Sequence, residues 1–269
     1  MSYASLMIYV EQNTQHIKLA ADLAGRCKAR LIGIAAHPPM PVVTGEDAPI
    51  DSVLFEQEEV NARAMLEKEG ERFRAIAGSA PAAVEWRSAP GFPDDFIVRE
   101  SRAADLIVVG RASTRLHRSL DVGGLLLRAG RPVLVVPHAV DSVGPRRVIV
   151  AWKDTREARR ALSDALPILR LAESILLVEV CEWGAEDGTL HRLKDVSRFL
   201  ARHRIVAVTE RVLPNAAIAG DVLVRFAQEA QADLIVAGAY GHSRLGEWMF
   251  GGVTRDLLNN SQICCLFSN

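Results

Sequence analysis

The sequence has almost no net charge and no long apolar run, and both deficits exclude whole classes of protein. Lysine and arginine total 32 against 33 aspartate and glutamate, so the net charge of −1 gives no general attraction to nucleic acid or to anionic membranes. No apolar segment reaches the roughly 20 residues that cross a bilayer. The first residues, MSYA, lack the basic start of a signal peptide. We therefore expect a cytoplasmic protein that binds neither nucleic acid nor a membrane.

Cysteine is scarce, and the residue patterns of common catalytic and metal sites are missing. Cys27, Cys181, Cys264 and Cys265 show no CxxC spacing, and the last two lie in an apolar run. A free cysteine in such a run packs as a small hydrophobic residue, so we expect these thiols in the core. The sequence contains no HxxxH spacing, no GxSxG motif and no GxxxxGKS/T motif. It therefore offers no catalytic residue and no metal ligand.

The chain repeats itself. The segment Asp105–Gly110, DLIVVG, returns 128 residues later as DLIVAG, and the same offset pairs two Gly-Gly steps and the strands around Val84 and Val212. Near the start, Ile8 to Glu11 matches Val150 to Lys153 at an offset of 142. The first copy thus has about 14 extra residues, which we place at the proline-rich segment 37–50.

In each copy, short apolar runs alternate with amphipathic stretches, which predicts an α/β fold. Strands that are apolar throughout and are separated by helices form parallel sheets covered on both faces. We predict two tandem open five-stranded parallel sheets flanked by helices, one over residues 1–140 and one over 146–269, with a proline-containing linker at 137–145. The predicted strands are 4–10, 30–36, 84–87, 105–110, 132–137, 146–152, 174–180, 205–213, 233–238 and 262–267, and the predicted helices are 14–27, 51–77, 93–103, 122–129, 157–170, 186–203, 217–231 and 251–260.

A glycine-rich segment follows the fourth strand of the second copy. It has the spacing Gly238-x2-Gly241-x9-Gly251, and a predicted helix begins at its end. Glycine permits the positive φ and the close backbone approach that an anion site needs, and a helix amino terminus offers unpaired N–H groups. The segment therefore predicts a phosphate-binding loop.

This spacing resembles the nucleotide loop of the universal stress protein family, and so does the wider run GAYGHSRLGEWMFGGVTRDLL. The run VIVAWKDTREARRAL at 148–162 resembles the first strand and helix of that family. The resemblance covers nearly the whole chain and implies a tandem member with a Rossmann-like sandwich, of the kind shared with adenine nucleotide alpha hydrolases. It implies a stress-response protein that binds ATP, alone or together with Mg²⁺, and that regulates rather than catalyses.

The resemblance also implies the residues of the site, all in the second copy. The loop would be shaped by glycines and would contact phosphate through backbone and hydroxyl groups, while residues at the ends of the first two strands would border the adenosine. These residues are Ala151, Lys153, Val180, Gly238, Gly241, His242, Gly251, Gly252, Val253 and Thr254.

Two positions depart from the family pattern. Lys153 stands where the family usually has an acid, and Gly252 stands where it has a hydroxyl residue. Loss of a hydrogen bond to a charged group is worth about 1.5–3 kcal/mol, which corresponds to a roughly 10- to 100-fold loss of affinity.

The first copy is more degenerate, and we expect it to be structural. Its loop reads Gly110-Arg111-Ala112-Ser113, with serine at the second glycine position, and it continues with Arg115, His117 and Arg118. We expect this basic loop to be solvated rather than to form a second anion site.

Four further side chains have an expected role outside this loop pattern. His37 is expected to be a loop residue and Trp152 a core residue, whereas the sequence leaves open whether Trp183 and Trp248 are exposed near the crevice.

Partners and activity remain open between alternatives. In the family, the last strands commonly pair across a dimer axis, and in a tandem chain that pairing can be internal, as a pseudo-dimer, while a homodimer stays open. The preferred hypothesis is a nucleotide-binding regulator with an unknown protein partner. The alternatives are a weak ATPase and a ligand-free protein-interaction module.

Overall fold

The computed structural model describes residues 2–11, 13–39, 52–78, 80–111, 120–140, 142, 144–206, 208–214, 219–239 and 252–269. The first half contains β1 (Ser5–Tyr9), α1 (Thr14–Cys27), β2 (Arg30–His37), α2 (Ser52–Ala77), β3 (Ala83–Pro90), α3 (Pro93–Glu100), a 3-10 turn (Ser101–Ala103), β4 (Leu106–Gly110), α4 (Val122–Arg128) and β5 (Val133–Val136). The second half contains β6 (Arg147–Ala151), α5 (Arg156–Leu169), β7 (Ser174–Cys181), α6 (Glu186–Arg202), β8 (Val208–Pro214), α7 (Ala219–Glu229), β9 (Leu234–Gly238), α8 (Gly252–Asn260) and β10 (Cys264–Ser268).

All ten strands belong to one sheet, in the order β3-β2-β1-β4-β5-β10-β9-β6-β7-β8. Neighbouring strands are parallel within each half, as predicted. The two halves join through β5 and β10, which run antiparallel with Val135 opposite Cys265 and Val133 opposite Phe267. The two predicted five-stranded sheets are therefore halves of one sheet, and the last strands of the two copies pair within the chain.

The predicted order of strands and helices is confirmed, but one correspondence between the copies is wrong. The sheet places Val84 beside Leu31 and Val208 beside Ile175, and these pairs occupy equivalent rungs of the two halves. Val84 therefore corresponds to Val208 and not to Val212. A shift of four residues keeps every side chain on the same face of a strand, so the apolar pattern alone could not detect the error.

Two apolar layers cover the sheet, one on each face. Helices α1, α2, α5 and α6 pack on one face, and α3, α4, α7 and α8 pack on the other. Each layer contains residues from both halves, which is why the junction at β5 and β10 lies inside a continuous core. Two helices have a side-chain cap at their start: Asn13 of α1 accepts from Gln15 N at 3.0 Å, and Thr155 of α5 accepts from Ala158 N at 3.3 Å. No helix in the described parts of the chain is long and apolar enough to span a membrane.

The repeated aspartate at the start of the DLIV segments has a structural role. Asp105 accepts hydrogen bonds from the backbone N–H groups of Ala4 and Ser5 at 2.7 and 3.0 Å. Asp233 does the same for Arg146 and Arg147 at 3.0 and 2.8 Å. In both halves the carboxylate therefore fixes the start of the first strand against the fourth, because these N–H groups lie before the ladder begins.

The expected core position of the cysteines is confirmed for the pair in β10, and it predicts which thiols react. Burial raises the pKa of Cys264 to about 12 and that of Cys265 to about 11, and Cys27 is also buried with a raised pKa. The thiolate is the reactive form, so we expect a thiol reagent at pH 7.5 to modify only half-buried Cys181 quickly in the native protein. Counting released thionitrobenzoate before and after denaturation, with mass mapping, tests this. Fast native labelling of Cys264 or Cys265 would contradict the burial of β10.

Candidate functional site at the strand ends of the second half

The second half has a reversal of strand order between β6 and β9. From β6 the chain continues outward to β7 and β8, whereas β9 and β10 lie on the other side. In open parallel sheets a crevice forms at this point, beyond the carboxyl ends of the strands. Ala151 ends β6 opposite Ala237 of β9, with Val178 of β7 on its other side. The equivalent reversal in the first half lies between β1 and β4.

The position of Gly238 requires a glycine, because the backbone of α5 lies against it. It ends β9, and a Cβ built on it would lie 2.6 Å from the backbone nitrogen of Ala158 and 2.7 Å from the carbonyl carbon of Glu157. These atoms belong to the first turn of α5, which cannot withdraw without leaving the sheet. Glycine therefore lets the amino terminus of α5 pack directly over the crevice.

The structure places seven of the ten predicted site residues, and three lie outside the described residues. Ala151, Val180 and Gly238 lie at the carboxyl ends of three neighbouring strands, and Lys153 is exposed just after β6. Gly252 begins α8 and is exposed, and Val253 packs against the same apolar cluster as Ala151. Thr254 is buried and has an interaction partner within the protein. The residues outside the description are Gly241, His242 and Gly251.

Three polar atoms near these strand ends are buried and have no hydrogen-bond partner among the described residues. They are the indole nitrogen of Trp152, Oε2 of Glu179 and Oγ of Ser268. Ser268 lies on β10 opposite Gly238, and its carbonyl accepts from Ala239 N at 2.8 Å. The sequence analysis did not identify Glu179, at the end of one predicted strand, or Ser268, directly after another. Trp152 is buried, as expected of a core residue.

The charges around the crevice are largely paired. Glu179 is buried and meets Arg192 at 2.9 Å, which raises the pKa of that guanidinium. Arg159 meets Asp154 at 2.6 Å, and Arg156 meets Glu157 at 3.1 Å. In the described parts of the chain, no group of three His, Cys, Asp or Glu side chains is arranged to hold a metal ion.

The repeat allows the two crevices to be compared position by position. Leu6 pairs with Leu106 as Val148 pairs with Leu234, so the offset of 142 holds for the first strand and its helix. At the position of Ala151 the first half has Tyr9, which is 7% exposed. At the position of Ala158 it has His16.

His16 lies against the end of β4 in the first half. It is 4% exposed, and a Cβ built on Gly110 would lie 2.7 Å from its Nδ1 and 3.1 Å from Oε2 of Glu11. At these two equivalent positions the first half thus has a phenol and an imidazole, and the second half has two alanines.

The other side chains with an expected position lie in several parts of the structure. Arg111 is half-buried and bound to backbone carbonyls of the second half, so the expectation of a solvated position is wrong for this residue. Ala112, Ser113, Arg115, His117, Arg118 and Trp248 lie outside the described residues. His37 pairs with Glu69 of α2 at 3.0 Å. Trp183 is 71% exposed, just beyond β7.

The buried imidazole of His16 predicts a pH dependence of stability. Burial lowers its pKa from 6.5, against a raising effect of the Pro137 carbonyl. The folded state therefore binds this proton less readily than the unfolded state, so stability present above pH 6.5 is lost as the pH falls toward the lowered value.

Below pH 6.5 we expect the free energy of unfolding of wild type to fall, relative to that of His16→Ala, by up to about 1.4 kcal/mol per pH unit. Urea unfolding of both proteins between pH 5 and pH 8 measures this difference. Glu11 is common to both, so its raised pKa does not enter the comparison. Parallel stability curves would show that His16 is not buried in its neutral form.

Comparison with known proteins agrees with this architecture. The model of the universal stress protein family matches residues 144–267. No curated protein sequence matches the chain. A crystal structure of a universal stress protein from Archaeoglobus fulgidus DSM 4304 is 15% identical, with 98% of each chain covered and a TM-score of 0.73. A functionally unknown protein from Pseudomonas aeruginosa PAO1 is 17% identical over 99% of this chain and 92% of its own, with a TM-score of 0.62.

At these identities the structural likeness establishes the fold, and the family match establishes the relationship of the second half. Residues 144–267 thus belong to the universal stress protein family, and the first half, which repeats the same order of strands and helices, gives the chain its tandem organisation.

Proposed function

We propose that the second half binds one adenine nucleotide, with ATP as the expected ligand, and that the bound nucleotide regulates the protein's association with a partner in the stress response. A cytoplasmic location and the absence of true catalysis, both expected from the sequence, are part of this proposal. The domain limits of 1–140 and 146–269 are part of it as well.

The observation that carries the proposal is the difference between the two crevices. The second half has Ala151 and Ala158 where the first half has Tyr9 and His16. As a result, the backbone of α5 lies against Gly238, whereas the His16 side chain lies against Gly110. A flat base needs free space at the strand ends, and alanine leaves it. Family membership of the second half supports the same choice.

The polar groups suit the two ends of a nucleotide. The base would lie against Ala151 and Val180, and the phosphates would lie at the first turn of α8, where Gly252 and Val253 present backbone N–H groups. Lys153, exposed at the mouth of the crevice, places a cation where the first half has Glu11, and a cation suits phosphate oxygens. Magnesium would be carried by the phosphates.

Calorimetric titration of the nucleotide-free protein with ATP and magnesium tests the proposal. We expect one equivalent to bind per chain. Ala151→Tyr copies the first half and should weaken binding by more than about 100-fold, or about 2.7 kcal/mol, because the phenol ring takes the place of the base. Val206→Tyr, at a position 82% exposed, is the matched control and should bind as wild type does.

Each other outcome has a distinct meaning. Two equivalents would show that Tyr9 and His16 do not close the first half. Unchanged binding by Ala151→Tyr would place the ligand elsewhere. The absence of heat up to millimolar ATP would exclude this ligand and favour an interaction module. Phosphate release that requires magnesium would favour the weak ATPase.

A further inference from the structure

One arginine of the first half ends inside the second. Arg111 follows β4 directly, and its backbone N–H donates to the Val136 carbonyl at 2.8 Å. Its side chain crosses to the end of α8, where Nη2 donates to the carbonyl of Leu257 at 3.0 Å and Nη1 donates to the carbonyl of Ser261. The guanidinium thus joins two carbonyls at the last turn of a helix in the other half.

Helix α8 lacks a cation of its own at that end. Its last turn contains no basic residue, although the last carbonyls of a helix have no intrahelical partner and carry partial negative charge. In the first half, α4 has Arg128 in its last turn. Arg111 therefore supplies from outside the cation that α8 does not encode.

The repeat shows that the turn itself does not need an arginine. Ala239 occupies the equivalent position after β9, and its N–H donates to Ser268 O at 2.8 Å, as Arg111 N does to Val136 O. Both halves make the same backbone hydrogen bond at this position, and the side chains differ. The arginine is thus a feature of the link between the halves.

The position of Arg111 is costly. The side chain is half-buried, its buried Nε has no partner in the part of the chain that the structure describes, and burial lowers the pKa of the guanidinium. Burying a charge and leaving a donor unmet both oppose folding. The contact with α8 offsets part of this cost.

We propose that Arg111 is a positioning residue through which the first half fixes α8, so that the amino-terminal turn of this helix meets the phosphates of a nucleotide bound in the second half. The inference rests on the proposed nucleotide site. Helix α8 has nine residues and is about 13 Å long, so a clamp on its last carbonyls sets the location of Gly252 and Val253 at its start. A half that is itself closed to ligand thereby contributes to the working site.

Phosphate dependence separates positioning from general stability. Arg111→Ala copies Ala239 and should weaken ATP binding about tenfold while changing adenosine binding less than about twofold, because only the phosphates meet α8. Arg111→Lys keeps the charge but lacks the planar fork that spans two carbonyls, so its ATP affinity should lie between those of wild type and Arg111→Ala. Arg225→Ala, an exposed arginine on the neighbouring α7, is the control and should leave both affinities unchanged.

Calorimetry with ATP and with adenosine provides the affinities, and circular dichroism confirms folding. Equal losses for both ligands, or no loss for either, would overturn the proposed positioning role.

Hydrogen exchange tests the clamp apart from the ligand. In the ligand-free protein, Arg111→Ala should speed exchange in the last turn of α8 and Arg225→Ala should not. If wild type binds no nucleotide, the proposed function fails, and faster exchange in α8 still supports the anchoring by Arg111. Unchanged exchange in α8 would overturn the anchoring itself.

Discussion

The antiparallel pairing of β5 with β10 is the contact on which the rest of the structure depends. Each half alone would expose one long apolar edge, and an unpaired edge strand is open to association with other chains. Pairing Leu134 with Leu266 and its neighbours closes both edges at once and makes one ten-stranded sheet. The described residues then leave β3 and β8 as the outer strands. The same pairing brings the end of α8 within reach of Arg111, so the arrangement of the second crevice depends on the first half.

The two halves share a backbone and differ in what fills it. Asp105 and Asp233 hold the same strand starts. Gly110 and Gly238 both allow a close approach, but Gly110 lies against side chains and Gly238 lies against the backbone of α5. Tyr9 and His16 fill one crevice with side chains that burial keeps neutral, since the pKa of the phenol is raised and that of the imidazole is lowered. The second half has the smaller alanine side chain at both matching positions. The proposed function uses this difference, with binding in the second copy and support from the first.

The sequence predicted the order and approximate limits of strands and helices, because buried parallel strands are apolar throughout and their helices are amphipathic. It could not show that Val84 corresponds to Val208 and not to Val212, four residues away, since both alignments keep the same strand faces buried. The sequence shows a tyrosine at position 9, but only the register of β1 on β4 shows that this tyrosine is equivalent to Ala151. The link from Arg111 to α8 joins residues about 150 positions apart, and a basic loop is usually solvated, so no local pattern indicated it.

The central claim is that only the second crevice binds nucleotide, and photo-crosslinking tests it most directly. The full chain would be irradiated with 8-azido-ATP at saturating concentration and digested, and the labelled peptides would be identified by mass spectrometry. We expect label on peptides that contain Ala151 or Val180, suppressed by excess ATP. Label on the peptide that contains Tyr9 and His16, suppressed in the same way, would contradict the account.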